Sequence, residues 1–251
     1  MSESDKSQRR FIAHAAHTRL GVSLAISDVE EHEPAGDWES PRDAQSILRV
    51  CLVTGSSAFD PSDPPTTPER FLPTDLGLEY RRPDQECSEL EELDECDCLL
   101  LIGRADWVSG VALSRIQSHC RRGRPIVVAR SVGRPLPAWP AFDLDVLGAD
   151  YSTDSPAGSP TTIHVVHRHH PILADGPPSL GFGSLSKPPR LVSDTEVLLT
   201  GSAGLLAPVA WTRLHRGGRV FSTVLGSAAD FRQRHFSHFL ANAILWASRR
   251  K

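Results

Sequence analysis

A chain of 251 residues with 39% hydrophobic content can bury one sizeable core, which excludes disorder throughout. Lys+Arg 27 against Asp+Glu 31 leaves a formal net charge of -4, so no global attraction draws the chain to nucleic acid or an anionic membrane surface, and a small neutral or polar ligand suits it better. The start lacks a basic stretch followed by an apolar core, and no apolar run approaches the roughly 20 residues of a membrane span, so the expected compartment is the cytoplasm.

Residues 1–46 carry mixed charge, the acidic patch Glu30-Glu31-His32-Glu33, and Pro34, Gly36 and Pro41, with one apolar stretch from Leu20 to Ile26. They read as a flexible tail that docks one segment, leaving 47–251 as a single domain. Leu48 to Gly55 is a short β-rich run ending in glycine, which suits a buried parallel strand and the start of its loop. Ser56 to Pro68 holds Pro61, Pro64, Pro65 and Pro68 and reads as a long loop at that strand end. An acidic stretch, Glu86 to Glu95, leads into a second buried strand, Asp97 to Gly103.

Val108, Ala112, Ile116 and Cys120 then mark one face of a helix, which Gly123 stops. Pro125 to Ala129 is a third strand, and the order strand, helix, strand argues for a right-handed βαβ unit in a parallel sheet. Thr162–Val166, Glu196–Thr200, Pro208–Thr212 and Arg219–Val224 read as further strands between Gly or Pro turns, a mixed extension of the sheet. The last element is a helix with Phe236, Phe239, Leu240, Ala243, Ile244 and Ala247 on one stripe.

The cysteines Cys51, Cys87, Cys96, Cys98 and Cys120 form no disulfide-scaffold pattern and read as reduced thiols. Cys96 and Cys98 raise the question of a metal. Alternate residues entering a strand face opposite sides, however, and no second pair sits at zinc spacing, so buried strand cysteine is the expectation and no metal or cofactor is anticipated. His164, His167, His169 and His170 form a histidine-rich tract, read either as metal ligands or as solvated and capping groups, with the second preferred.

Gly123-Arg124-Pro125-Ile126-Val127-Val128-Ala129-Arg130-Ser131-Val132-Gly133-Arg134-Pro135-Leu136 resembles a pattern G-K-P-V-V-G-I-R-T-A-S-H-A-F. Trp139, Phe142-Asp143-Leu144-Asp145-Val146-Leu147-Gly148-Ala149-Asp150-Tyr151, His170-Pro171-Ile172-Leu173, Pro208-Val209-Ala210-Trp211-Thr212-Arg213 and Gly217 to Gly226 follow in matching order, as do Asp230-Phe231 and Asn242 to Ala247. Over most of residues 48–250 this series resembles the trehalose-utilisation (ThuA-like) family of the class I glutamine-amidotransferase-like superfamily. The resemblance implies an α/β fold with a central, mostly parallel sheet flanked by helices, flavodoxin-like in type, with functional groups on loops at the carboxyl ends of the strands. It implies a crevice lined by Gly55 to Phe59, Gly103 to Trp107, Arg130 to Arg134, and Gly226-Ser227.

This chain departs from the family at three histidine positions, which hold Arg134, Asp154 and Ser227. Proton transfer by imidazole is thereby lost there. The amidotransferase nucleophile position matches Arg130, so glutaminase activity has no thiol. Ala129 to Gly133 also resembles a nucleophile elbow centred on Ser131, with His164 or His167 as base, against a turn-bonded hydroxyl as the bland reading.

The ligand-binding candidates are Ser56, Arg104, Trp107, Arg130, Ser131, Arg134, Tyr151 and Ser227, and the catalytic candidates are Ser131 and Asp154. Arg104 and Arg130 read equally as donors to a carboxylate, phosphate or sugar hydroxyl, or as loop-binding ion pairs with Asp106 or Asp150. Trp211 and Trp246 read as packing residues, whereas Trp107 and Trp139 could stack on a sugar ring. The expected partner is a small ligand, sugar-derived by resemblance, with no nucleic acid or membrane partner; a homodimer stays open. The alternative is an enzyme acting on glycosides or keto-sugars through Arg130, Asp150, Tyr151 and Asp154.

Overall fold

The computed structural model describes residues 47–55, 72–73, 76–83, 89–130, 135–151, 161–178, 180–181, 189–202 and 206–248. The expected tail, the proline-rich loop and the candidates Ser56, Ser131, Arg134 and Asp154 lie outside them.

The apolar runs become β1 (Leu48–Thr54), β3 (Cys98–Ile102) and β4 (Ile126–Ala129), parallel neighbours with almost every residue buried. Strands covered on both faces need no polar alternation, which is why these segments read as continuous apolar runs. Between β3 and β4 runs α1 (Gly110–Arg121), which buries Ala112, Ile116 and Cys120 as its periodicity requires and ends at Gly123 with φ 64°. The edge beyond β1 carries a parallel strand, β2 (Leu78–Arg81), which no apolar run marks in the sequence.

The second half contributes β5 (Ala149–Asp150), β6 (Thr161–Val165), β7 (Leu180–Gly181), β8 (Arg190–Leu191), β9 (Thr195–Ser202), β10 (Leu206–His215) and β11 (Gly218–Thr223). β5 and β8 form a small ribbon of their own, and the others join one nine-stranded sheet in the order β2-β1-β3-β4-β11-β10-β9-β6-β7. The first five strands are parallel and the remainder antiparallel, the mixed extension expected from sequence. Pro208 sits at a register shift between β9 and β10, where a residue without an N–H is tolerated.

A short turn of helix, α2 (Ala228–Phe231), leads into α3 (Arg234–Ala247), which packs on β3, β4 and β11. Phe236, Phe239, Leu240, Ala243, Ile244 and Ala247 are all buried, and Phe239 meets Phe221 edge-on at 5.3 Å between ring centres. A cavity-forming change such as Phe239→Ala there costs about 3–5 kcal/mol. Trp211 is fully buried and donates its indole N–H to Leu147 O at 2.9 Å, the packing role expected of it. Among the described residues no helix is long and apolar enough to cross a membrane.

Cys98 lies in β3 and Cys96 just before it, both buried. Cys51, Cys96 and Cys98 are free thiols, with Cys96 beside Cys51 and the Cys98 Sγ donating to Leu99 O at 3.7 Å.

Candidate functional site

The parallel half of the sheet brings five strand ends to one edge, and backbone hydrogen bonds tie together the ends of β1, β3, β4 and β11. Gly55 N donates to Ile102 O at 3.0 Å, Gly103 N to Ala129 O at 3.0 Å, and Arg130 N to Leu225 O at 2.7 Å. A side chain at Gly55 would drive its Cβ into the carbonyl of Arg104, so the loops after β1 and β3 touch backbone to backbone.

Arg130 is the first residue past β4 and adopts φ 56°, a left-handed conformation rare outside glycine and costly for a side-chain-bearing residue. β4, which Arg130 follows, is a parallel strand between β3 and β11. Nothing in the residue type announces the strained turn. Its surroundings impose it, because Leu225 holds the amide and Gly226, at φ 128°, leaves room: a Cβ there would stand 3.1 Å from Arg130 N and 3.3 Å from Arg130 Cβ. Strain of this kind persists only where the fold over-determines it, and it clusters at functional sites.

Around that turn the other candidates divide. Arg104 is exposed and its Nε lies 2.7 Å from Asp106 Oδ1, so one of its donors serves the loop-binding ion pair. Trp107 is half-buried and donates its indole N–H to Thr54 O at 2.9 Å, leaving only its ring face for a ligand. Ser227 forms a reciprocal cap on α2. Its Oγ donates to Asp230 Oδ2 at 2.8 Å and accepts from Asp230 N at 3.2 Å, while the amides of Gly226 and Ser227 donate to the same carboxylate oxygen at 2.9 and 2.8 Å. The spacing Ser-x-x-Asp is the signal that could have found this capping box in the sequence.

Tyr151 directly follows β5. With Pro140, Ala141, Asp143, Leu144, Ala149 and Asp150 it lines a cavity of about 300 Å³, to which none of the described residues of the strand-end loops contributes. Asp143 is buried and Asp150 half-buried, so two carboxylates and a phenol share this second hollow. Trp139 tilts against Phe142 at 5.2 Å nearby in sequence.

The histidine tract belongs to the antiparallel extension. β6 stands four strands from β4, roughly 19 Å at the ~4.8 Å strand spacing, so His164 on β6 is beyond proton-transfer reach of the Arg130 turn. His167 lies just past the end of β6, and its Nδ1 is 3.3 Å from Glu196 Oε1. His170 caps a turn, its Nδ1 accepting from Ile172 N at 3.3 Å, and burial pushes its pKa down. Trp246, half-buried, takes Arg219 over its ring at 5.0 Å and the His170 ring at 5.2 Å. Among the described residues no group of three or more His, Cys, Asp or Glu side chains is placed to share a metal ion.

Similarity to known proteins agrees with this fold. A family model described as "ThuA: Trehalose utilisation" matches residues 76–247. A search of curated proteins finds no match. A ThuA-like protein from Parabacteroides merdae superposes with a TM-score of 0.59 at 14% identity, over 81% of this chain and 90% of that one. A cytoplasmic protein from Salmonella typhimurium gives 0.58 at 12% identity, over 80% and 99%. A glutamine amidotransferase from Thermotoga maritima gives 0.52 at 10% identity, over 80% and 98%. Identities this low carry the fold alone, but the family model spans more than half of the sequence, and the chain belongs to the ThuA, trehalose-utilisation, family.

Proposed function

We propose that the strand-end crevice binds a small anionic or hydroxyl-rich ligand, sugar-derived in keeping with the family, and works by binding rather than by covalent or imidazole-driven catalysis. The observation that carries this reading is the arginine on the strained turn after β4. The residues 55–59, 103–107, 130–134 and 226–230, which follow β1, β3, β4 and β11, contain neither cysteine nor histidine. A guanidinium held there offers several donors to a carboxylate, phosphate or diol but supplies no nucleophile and no proton at neutral pH. Trp107 would add a ring face, and Ser56, Ser131 and Arg134 adjoin the same strand ends in sequence. The cytoplasm, and the absence of nucleic-acid and membrane partners, carry over from composition as part of the same reading.

A thermal-shift panel of neutral sugars, sugar acids and sugar phosphates tests it. Saturation at about 100 times Kd stabilises the native state by about 2.7 kcal/mol, which for a domain of this size is roughly 5–10 °C. Sugar acids or phosphates should raise the midpoint in the wild type and not in Arg130→Ala; no response to any of them would refute the reading.

A second reading rests on the cavity beside Tyr151. Two carboxylates, Asp143 and Asp150, in one hollow are the raw material of acid and base work on a glycoside. Turnover of a glycoside that survives Arg130→Ala and disappears in Asp150→Asn would favour it over the first.

A further inference from the structure

The opposite edge of the parallel sheet, where its strands begin, carries charge separated into two halves. The turn Glu91–Asp94 and the preceding Glu89 enter β3; Arg121, Arg122 and Arg124 enter β4; Arg216 lies in the turn entering β11. Because β3, β4 and β11 are consecutive neighbours, this rim passes from acid to base over about 10 Å at ~4.8 Å per strand.

The basic half is one surface rather than two loops. A Cβ on Gly123 would collide with the carbonyl of Arg216, so the turn after α1 and the β10–β11 turn are in backbone contact. Asp94 marks the border: Arg115 pairs with its carboxylate, and Arg124 Nη1 donates to its carbonyl at 3.3 Å.

Away from that border the charges are unspent. Glu89, Glu91, Arg121, Arg122 and Arg216 are exposed and Glu92 is half-exposed, and among the described residues none of the six is ion-paired or hydrogen-bonded through its side chain. Neighbouring histidines do not alter the balance, since burial holds the pKa of His119 down at about 4 and also lowers that of His215. The dipole of α1 accounts for cations at its own carboxyl end but not for Arg216, which comes from another turn. Like charges gathered within a Debye length repel one another, and a partner of opposite sign relieves that.

We propose that this rim is a self-complementary interface through which two copies of the chain associate about a two-fold axis passing near Asp94 and Arg124. A two-fold turns the stripe end for end. Glu89, Glu91 and Glu92 of one copy then face Arg121, Arg122 and Arg216 of the other, and the same contact recurs on the far side of the axis. The association is electrostatic, so salt weakens it, and it leaves the ligand crevice at the other end of the strands open.

Sedimentation velocity of the full chain tests this with two reversal variants, Arg121→Glu with Arg122→Glu, and Glu89→Arg with Glu91→Arg. All four positions are exposed, and unfolding curves matching wild type verify that each variant folds. The wild type should sediment as a dimer at about 25 mM salt and as a monomer at about 0.5 M, where the Debye length falls to about 4 Å and attraction beyond direct contact is screened. Each variant alone should be monomeric at low salt, because one half of each contact then meets its own sign. Their equimolar mixture should dimerise again, since an all-acidic rim meets an all-basic one. A wild type monomeric at low salt, dimers indifferent to either reversal, or a mixture that stays monomeric would overturn the proposal. So would a monomer whose arginines instead retain a polyanion such as heparin.

Discussion

The left-handed conformation at Arg130 makes a prediction in which backbone and side chain can be separated. Substituting Arg130 by Gly and by Ala removes the guanidinium in both cases, so the two variants differ only in what the backbone tolerates. An L-residue in the left-handed region costs roughly 1–2 kcal/mol, whereas glycine enters it freely and instead loses about 0.5–1 kcal/mol through the greater freedom of its unfolded chain. Where φ is positive the strain outweighs that entropy. With φ at 56°, Arg130→Gly is therefore expected to be more stable than Arg130→Ala by about 1 kcal/mol, or roughly 2–4 °C in midpoint for a domain of this size. Arg130→Val should be the least stable of the three, because a β-branched residue fits the region worst. Urea unfolding followed by tryptophan fluorescence measures the differences. If Arg130→Ala equals or exceeds Arg130→Gly in stability, the turn is not strained and the case for an elbow imposed by Leu225 and Gly226 fails.

Other expectations are independent of that turn. His119 is buried with Nε2 3.0 Å from Pro125 O and no hydrogen-bond partner at Nδ1, and burial holds its pKa at about 4 against 6.5 unfolded. The unfolded chain therefore takes up the proton first as pH falls. Its contribution is present above about pH 6.5 and is lost toward pH 4, so between pH 7 and 5 the wild type should lose about 2 kcal/mol more than His119→Gln, as urea unfolding at the two pH values would show. Ser227→Ala removes the reciprocal cap on α2 and should cost about 1 kcal/mol by the same assay. A chain starting at Gln45 should keep cooperative unfolding, since no core periodicity precedes Leu48; a broad, non-cooperative melt would show that Leu20 to Ile26 is a core element.

What the sequence made legible follows from where physics is local. β1, β3 and β4 are legible because strands buried on both faces must be apolar at every position, and α1 and α3 because their buried stripes repeat at helical period. β2 is not: Leu-Glu-Tyr-Arg at a sheet edge buries one residue fully, and only its pairing with β1 makes it a strand. The two-residue ribbon of β5 and β8 and the π-helical turn Asp143–Leu147 carry no periodicity to read. At the candidate site, sequence placed Arg130 at a strand end, but its positive φ is written in Gly226 and Leu225, nearly a hundred residues away. Ser227 is legible as a cap from Asp230 three residues on, at a position where the family pattern carries a histidine.

The most direct test of the central claim is a calorimetric titration of a sugar acid such as glucuronate into the wild type, Arg130→Lys and Arg130→Ala. A hydrogen bond to a charged group contributes about 1.5–3 kcal/mol, so Arg130→Ala should weaken binding roughly 10- to 100-fold. Arg130→Lys should fall between, retaining the charge without the bidentate fork. Equal affinity in all three proteins would contradict the account.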